Sequence, residues 1–138
     1  MAGGYKQFPH IIIRGSMLIN NQAAYIFVDL ENIKPNEIGN LLNNDVGVLL
    51  FVGANQKSLS VDIVLAMQQL AESRSANYIQ ITGNGRNALD FHITYYLGLI
   101  ASKHPASKFY IFSNDKGYDP LIQHLQERNI NVRTSGGI

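Results

Sequence analysis

From residue 23 onward, hydrophobic and polar positions alternate between two patterns. Short apolar runs without internal alternation fall at 23–30, 46–52, 77–82 and 108–112, with a shorter one at 131–134. Runs of this kind suit strands buried on both faces, as in a parallel sheet. Between them, apolar residues recur at helical spacing. Pro35 opens a short helix over 35–43, with Ile38, Leu41 and Leu42 on one side. Ser58 or Ser60 caps a second, whose apolar positions are Val61, Val64, Leu65 and Leu70. Asn87 caps the longest, which runs through Phe91, Tyr95 and Leu99 to about Ser102. That helix is apolar nearly all round and is predicted to be largely buried. Asp119-Pro120 opens the last, with Leu121, Ile122 and Leu125 facing inward. Strand and helix thus alternate, which predicts an α/β fold, a three-layer αβα with a mostly parallel five-stranded sheet. If strands one to three build outward and strand four returns beside strand one, the order is 3-2-1-4-5.

A chain of 138 residues with 46% hydrophobic content fits one domain with a real core. Residues 23–138 are expected to form it. Residues 1–22 read as an N-terminal arm: either Gly15-Ser16 ahead of Met17 is a vector-derived junction, or 11–13 is a genuine short strand. Eleven basic residues against ten acidic give a net charge of +1, which neither announces nor excludes nucleic acid. The absence of cysteine removes thiolate chemistry, so any metal must be held by oxygen or imidazole. No apolar stretch approaches a membrane span and no signal-peptide pattern opens the chain; a cytoplasmic protein is expected.

Candidate chemistry sits where strands end. YIFVDLEN (25–32) runs from a buried strand into Asp29, Glu31 and Asn32, and FYIFSNDKGYDP (109–120) runs into Asp115 and Asp119. In the order 3-2-1-4-5, Asp29 and Asp115 end adjacent parallel strands at the switch point, where open α/β sheets bind ligands. Asp90 lies in the first turn of the helix after strand three, on the same rim. Carboxylates this close repel one another, and a divalent cation removes that cost. Mg²⁺ or Mn²⁺ suits an all-oxygen, partly hydrated site.

These blocks carry a resemblance. VDLEN (28–32), GRNALDFHI (85–93) and FSNDKGYDPLI (112–122), in that order and on those elements, are similar to the PIN-like nuclease superfamily, particularly its NYN branch. The likeness covers about 23–134. It matches Asp29 and Asn32 to an Asp-x-x-Asn pattern, Asp90 to the acidic residue opening the central helix, Ser113 and Asp115 to a Ser-x-Asp segment, and Asp119 to a further Asp before an aliphatic helix. It implies a metal-dependent endoribonuclease acting on RNA, with Asp29, Asp90, Asp115 and Asp119 as metal-holding catalytic residues. Asn32 and Ser113 would sit beside substrate, and Arg86 and Lys116, with Lys34, are placed to meet its phosphates. In one respect the chain departs: Lys116, Gly117 and Tyr118 separate two aspartates that the NYN branch commonly spaces by one residue.

Each residue also has a plainer reading. Asp90 can simply favour a helix N-terminus, and Asp119 can be an N-cap ahead of proline. Glu31 is either a supporting group or an exposed loop acid. His92 is two residues past Asp90 and is expected to pack elsewhere, and Tyr118 could stack on a base. Two other functions compete. Asp115 and Asp119 have the Asp-x-x-x-Asp spacing of haloacid dehalogenase-like phosphatases, with Asp29 as nucleophile. A non-catalytic domain of the same fold, binding RNA or protein, is the second. Homo-oligomerisation, an inhibitor or a fused domain are left open by the sequence.

Overall fold

The structure, a computed structural model, describes residues 23–33, 46–73, 75–85 and 87–134. The arm at 1–22, the helix predicted at 35–43, Lys34 and Arg86 lie outside these residues. Five strands form one sheet: β1 (Ala24–Asp29), β2 (Val46–Val52), β3 (Ser75–Gln80), β4 (Lys108–Phe112) and β5 (Asn131–Thr134). The order is β3-β2-β1-β4-β5, and every pairing is parallel. Three α-helices are described: α1 (Val61–Ser73), α2 (Ala88–Lys103) and α3 (Asp119–Glu127). Two 3-10 turns, Leu30–Asn32 and Lys116–Tyr118, follow β1 and β4.

The period of two along each strand sorts side chains between the faces. Tyr25 and Phe27 of β1, Phe51 of β2 and Phe109 of β4 share a cluster with Leu89, Ile93 and Leu97 of α2 and Ile122 of α3. Tyr25 stacks on Phe109 with centroids 5.8 Å apart, and Phe51 meets Tyr96 of α2 at 5.6 Å. On the other face Ile26, Val28, Val48 and Leu50 pack against Ile63, Ala66 and Met67 of α1. Helices on both sides of the sheet make the three layers. Burying a large apolar side chain contributes about 1.5–3 kcal/mol, and Tyr25, Phe27 and Val28 are each fully buried. β1 is therefore anchored well enough to carry an unfavourable group at its end.

Some local expectations change. β3 begins two residues before the predicted 77–82, because Ser75 and Ala76 pair with Gly47 and Val48. Pairing with a full-length neighbour outweighs their weak strand propensity. Ile81 leaves the ladder, though its N–H still donates to the Val52 carbonyl at 3.0 Å. The inner face of α1 is Ile63, Ala66 and Met67, whereas Val61 and Leu65 are 71% and 53% exposed. Ser60 rather than Ser58 caps it, its Oγ accepting from the Ile63 N–H at 3.2 Å. α2 is not buried all round: Phe91 and Tyr95 are 71% and 62% exposed. Asn87 precedes α2 without a side-chain cap bond. Among the described residues, no helix is long and apolar enough to cross a membrane.

Candidate active site

Asp29 continues the set Tyr25, Phe27 along β1, so its side chain emerges on the face covered by α2 and α3. It is completely buried. The 3-10 turn after β1 folds Asn32 back over it, three residues on; Asn32 Nδ2 donates to Asp29 Oδ2 at 2.9 Å. In the parallel register Val28 faces Phe112 of β4. One step further brings Ser113 to Asp29, and its hydroxyl donates to the same Oδ2 at 2.9 Å. Tyr118 Oη is 3.5 Å from Oδ2. The other oxygen, Asp29 Oδ1, is buried with no hydrogen-bond partner. Leaving a buried acceptor unsatisfied costs about 1–3 kcal/mol, more when it is charged. Asp29 is thus held by one oxygen and presents the other.

The β4 end is built to complement it. The Ser113 hydroxyl, while donating to Asp29, accepts from the Asp115 N–H at 3.0 Å. Asp115 Oδ1 accepts from the Gly117 N–H at 2.8 Å, an Asx turn that opens the second 3-10 turn. A Cβ on Gly117 would stand only 3.1 Å from that Oδ1, so glycine keeps the turn tight. The Asn114 N–H donates to the Asn32 carbonyl at 2.9 Å and ties the two loops together. The turn ends by sending Tyr118 inward, where its ring joins the core and only 3% of the residue is exposed.

Asp90 lies in the first turn of α2, half-buried, and its Oδ1 accepts from the Tyr118 hydroxyl at 3.1 Å. Burial raises its pKa most; the Tyr118 hydrogen bond opposes this, and the charges of Asp115 and Asp29 raise it further. The Tyr118 phenol is pushed far above its ordinary value by burial and then by Asp29, Asp90 and Asp115. Asp29, Asp90 and Asp115 therefore share one electrostatic environment around a buried phenol.

Not every predicted site residue joins them. Asp119 is exposed, with helical backbone (φ −57°, ψ −44°), and its N–H donates to the Lys116 carbonyl. It is the first residue of α3 and not the expected N-cap; the 3-10 turn runs straight into the helix, and Tyr118 holds the cap position without a side-chain bond. Lys116 is exposed beside Asp115, and Arg86 lies outside the described residues. Tyr118 does not offer a base-stacking surface, because its ring is buried and its hydroxyl points to carboxylates. The contact between Tyr118 and Asp90, 28 residues apart, has no local signal in the sequence. His92 packs as expected, Nδ1 2.6 Å from the Ala88 carbonyl.

Among the described residues, no group of three or more His, Cys, Asp or Glu side chains is placed to hold a metal ion. The donors nevertheless fit a hard divalent ion: all are oxygens, and Asp29 Oδ1 is buried with no partner. A polar cavity of about 300 Å³ opens on the strand-end side, lined by Glu31, Gly53, Gln56, Asn84, Gly85 and Leu89 among others. A larger groove of about 730 Å³, lined by Tyr78, Phe91, Tyr95 and Tyr96, contains no carboxylate.

The doubly wound parallel sheet, with carboxylates gathered at the ends of its two central neighbours β1 and β4, defines an α/β domain with an acidic switch-point site. The chain belongs to the PIN domain family, whose family model matches residues 23–135. PIN domains are generally nucleases and typically use divalent metals. Neither the curated proteins nor the solved structures searched contained a match.

Proposed function

We propose that this PIN domain is of the NYN type and is an endoribonuclease that hydrolyses phosphodiester bonds of single-stranded RNA. Asp29, Asp90 and Asp115 hold Mg²⁺ or Mn²⁺, and Asp119, exposed at the start of α3, assists from the rim through water. The observation that carries this reading is the buried, unpartnered Oδ1 of Asp29, whose carboxylate shares the Tyr118 hydroxyl with Asp90. Such an ion, when bound, acidifies water and neutralises phosphate charge. The chain's own residues do the rest. Asn32 and Ser113 fix the Asp29 rotamer by occupying Oδ2 and are assigned to the substrate side of the site, while Lys116 and Arg86 are assigned to substrate phosphates. Family membership favours this over a phosphatase with Asp29 as nucleophile.

The test is cleavage of a labelled single-stranded RNA in Mg²⁺ or Mn²⁺ by the wild type, Asp29→Asn and Asp115→Asn. Each substitution is expected to lower the rate by at least about a hundredfold with an unchanged circular dichroism spectrum. Retained cleavage in either variant would remove that residue from the chemistry. A wild type that binds RNA without cutting it would indicate the non-catalytic alternative.

A further inference from the structure

We propose that Tyr118 is a positioning residue, which draws Asp90 in towards Asp29 so that the two carboxylates are set to receive a divalent cation; this rests on the cation-site reading above. The phenol has a single proton to donate. Asp29 Oδ2 already receives Asn32 and Ser113 at 2.9 Å each, and its contact with Tyr118 is long, at 3.5 Å. The Asp90 contact is 3.1 Å, so the proton serves Asp90.

Without that bond Asp90 has reason to turn away. It sits half-buried on the first turn of α2, where repulsion from Asp29 and Asp115 favours an orientation towards water. Tyr118 cannot follow it outward, because its ring is locked in the core cluster with Leu89, Phe109 and Ile122. A donor fixed in the core therefore holds an acceptor on the half-buried first turn of α2. One oxygen of each carboxylate is tied, Oδ2 of Asp29 and Oδ1 of Asp90, leaving Asp29 Oδ1 and the second Asp90 oxygen for the ion. Lys116, Gly117 and Tyr118 thereby gain a purpose: they form the turn that delivers the phenol between the two carboxylates.

The experiment titrates Mn²⁺ into metal-free wild type, Tyr118→Phe and, as a control, the exposed Tyr95→Phe, following heat and the Mn²⁺ electron paramagnetic resonance signal well below each melting midpoint. Tyr118→Phe preserves the ring and is expected to bind Mn²⁺ about 10–100-fold more weakly, the usual effect of losing a group that orients a ligand. Tyr95→Phe is expected to match the wild type. In an Asp90→Asn background, Tyr118→Phe should change affinity by less than about threefold, since the group it acts through is already lost. Wild-type affinity in folded Tyr118→Phe would reduce Tyr118 to core packing, and an equal loss in both backgrounds would show that its hydroxyl does not act through Asp90; either result overturns the proposal. A wild type that binds no Mn²⁺ would overturn the cation-site reading itself, and this proposal with it.

Discussion

At the scale of single residues, the site sets burial against charge. Asp29 is completely buried and Asp90 half-buried, yet only Asp29 is fastened by several donors. Asp90 carries the consequence as a raised pKa, from burial first and neighbouring carboxylates after. Because its folded pKa lies above the ordinary value of 3.8, ionising it costs stability. That cost is absent below the unfolded value and fully present above the folded one. In EDTA at pH 7, Asp90→Asn is therefore expected to melt higher than the wild type. The gap should close as pH falls through the raised carboxyl value towards 3.8. A gap that does not vary with pH would show that the effect is packing and not charge. The carboxylates Asp29, Asp90 and Asp115 were legible in the sequence, because strand ends and a helix's first turn are places where a polar residue stands out against an apolar run. Tyr118 was not, because an aromatic residue in a short loop looks the same whether its hydroxyl meets water or a carboxylate. Asp119 next to proline suggested a cap only because the preceding 3-10 turn, which already leads into the helix, has no sequence pattern of its own.

At the scale of elements, β1, β2, β4 and β5 were readable because a sheet core leaves little choice of face. The helices were harder. Val61 and Leu65 mark an apolar stripe on α1 that the fold leaves exposed, while Ile63, Ala66 and Met67 point to the sheet. Phe91 and Tyr95 do the same on α2, so apolar content alone does not identify the inner face. The end of α3 shows what sets an element's limit. Asn129 has φ 66°, the left-handed conformation that terminates helices, and the Ile130 N–H donates to the Leu125 carbonyl at 3.0 Å. This reversal feeds β5 alongside β4, whose far end holds Ser113 and Asp115. Asn129→Val should lower stability in urea by about 1–2 kcal/mol, the penalty of a Cβ-branched residue in that region, whereas Asn129→Gly should leave it unchanged or higher. Equal stability of the valine variant would mean that the backbone there relaxes freely.

At the scale of the whole molecule, function follows from strand order. β1 and β4 are neighbours because the chain builds β2 and β3 to one side and then crosses to the other. That switch brings Asp29, Ser113 and Asp115 together from positions more than eighty residues apart in sequence, and α2 crosses the same end with Asp90. The most direct test is diffraction from crystals equilibrated with Mn²⁺, recorded at the manganese absorption edge. An anomalous peak about 2.2 Å from Asp29 Oδ1, bounded by Asp90 and Asp115, is the expected result. Saturating Mn²⁺ with no peak beside Asp29, or with the ion bound elsewhere on the surface, would contradict it.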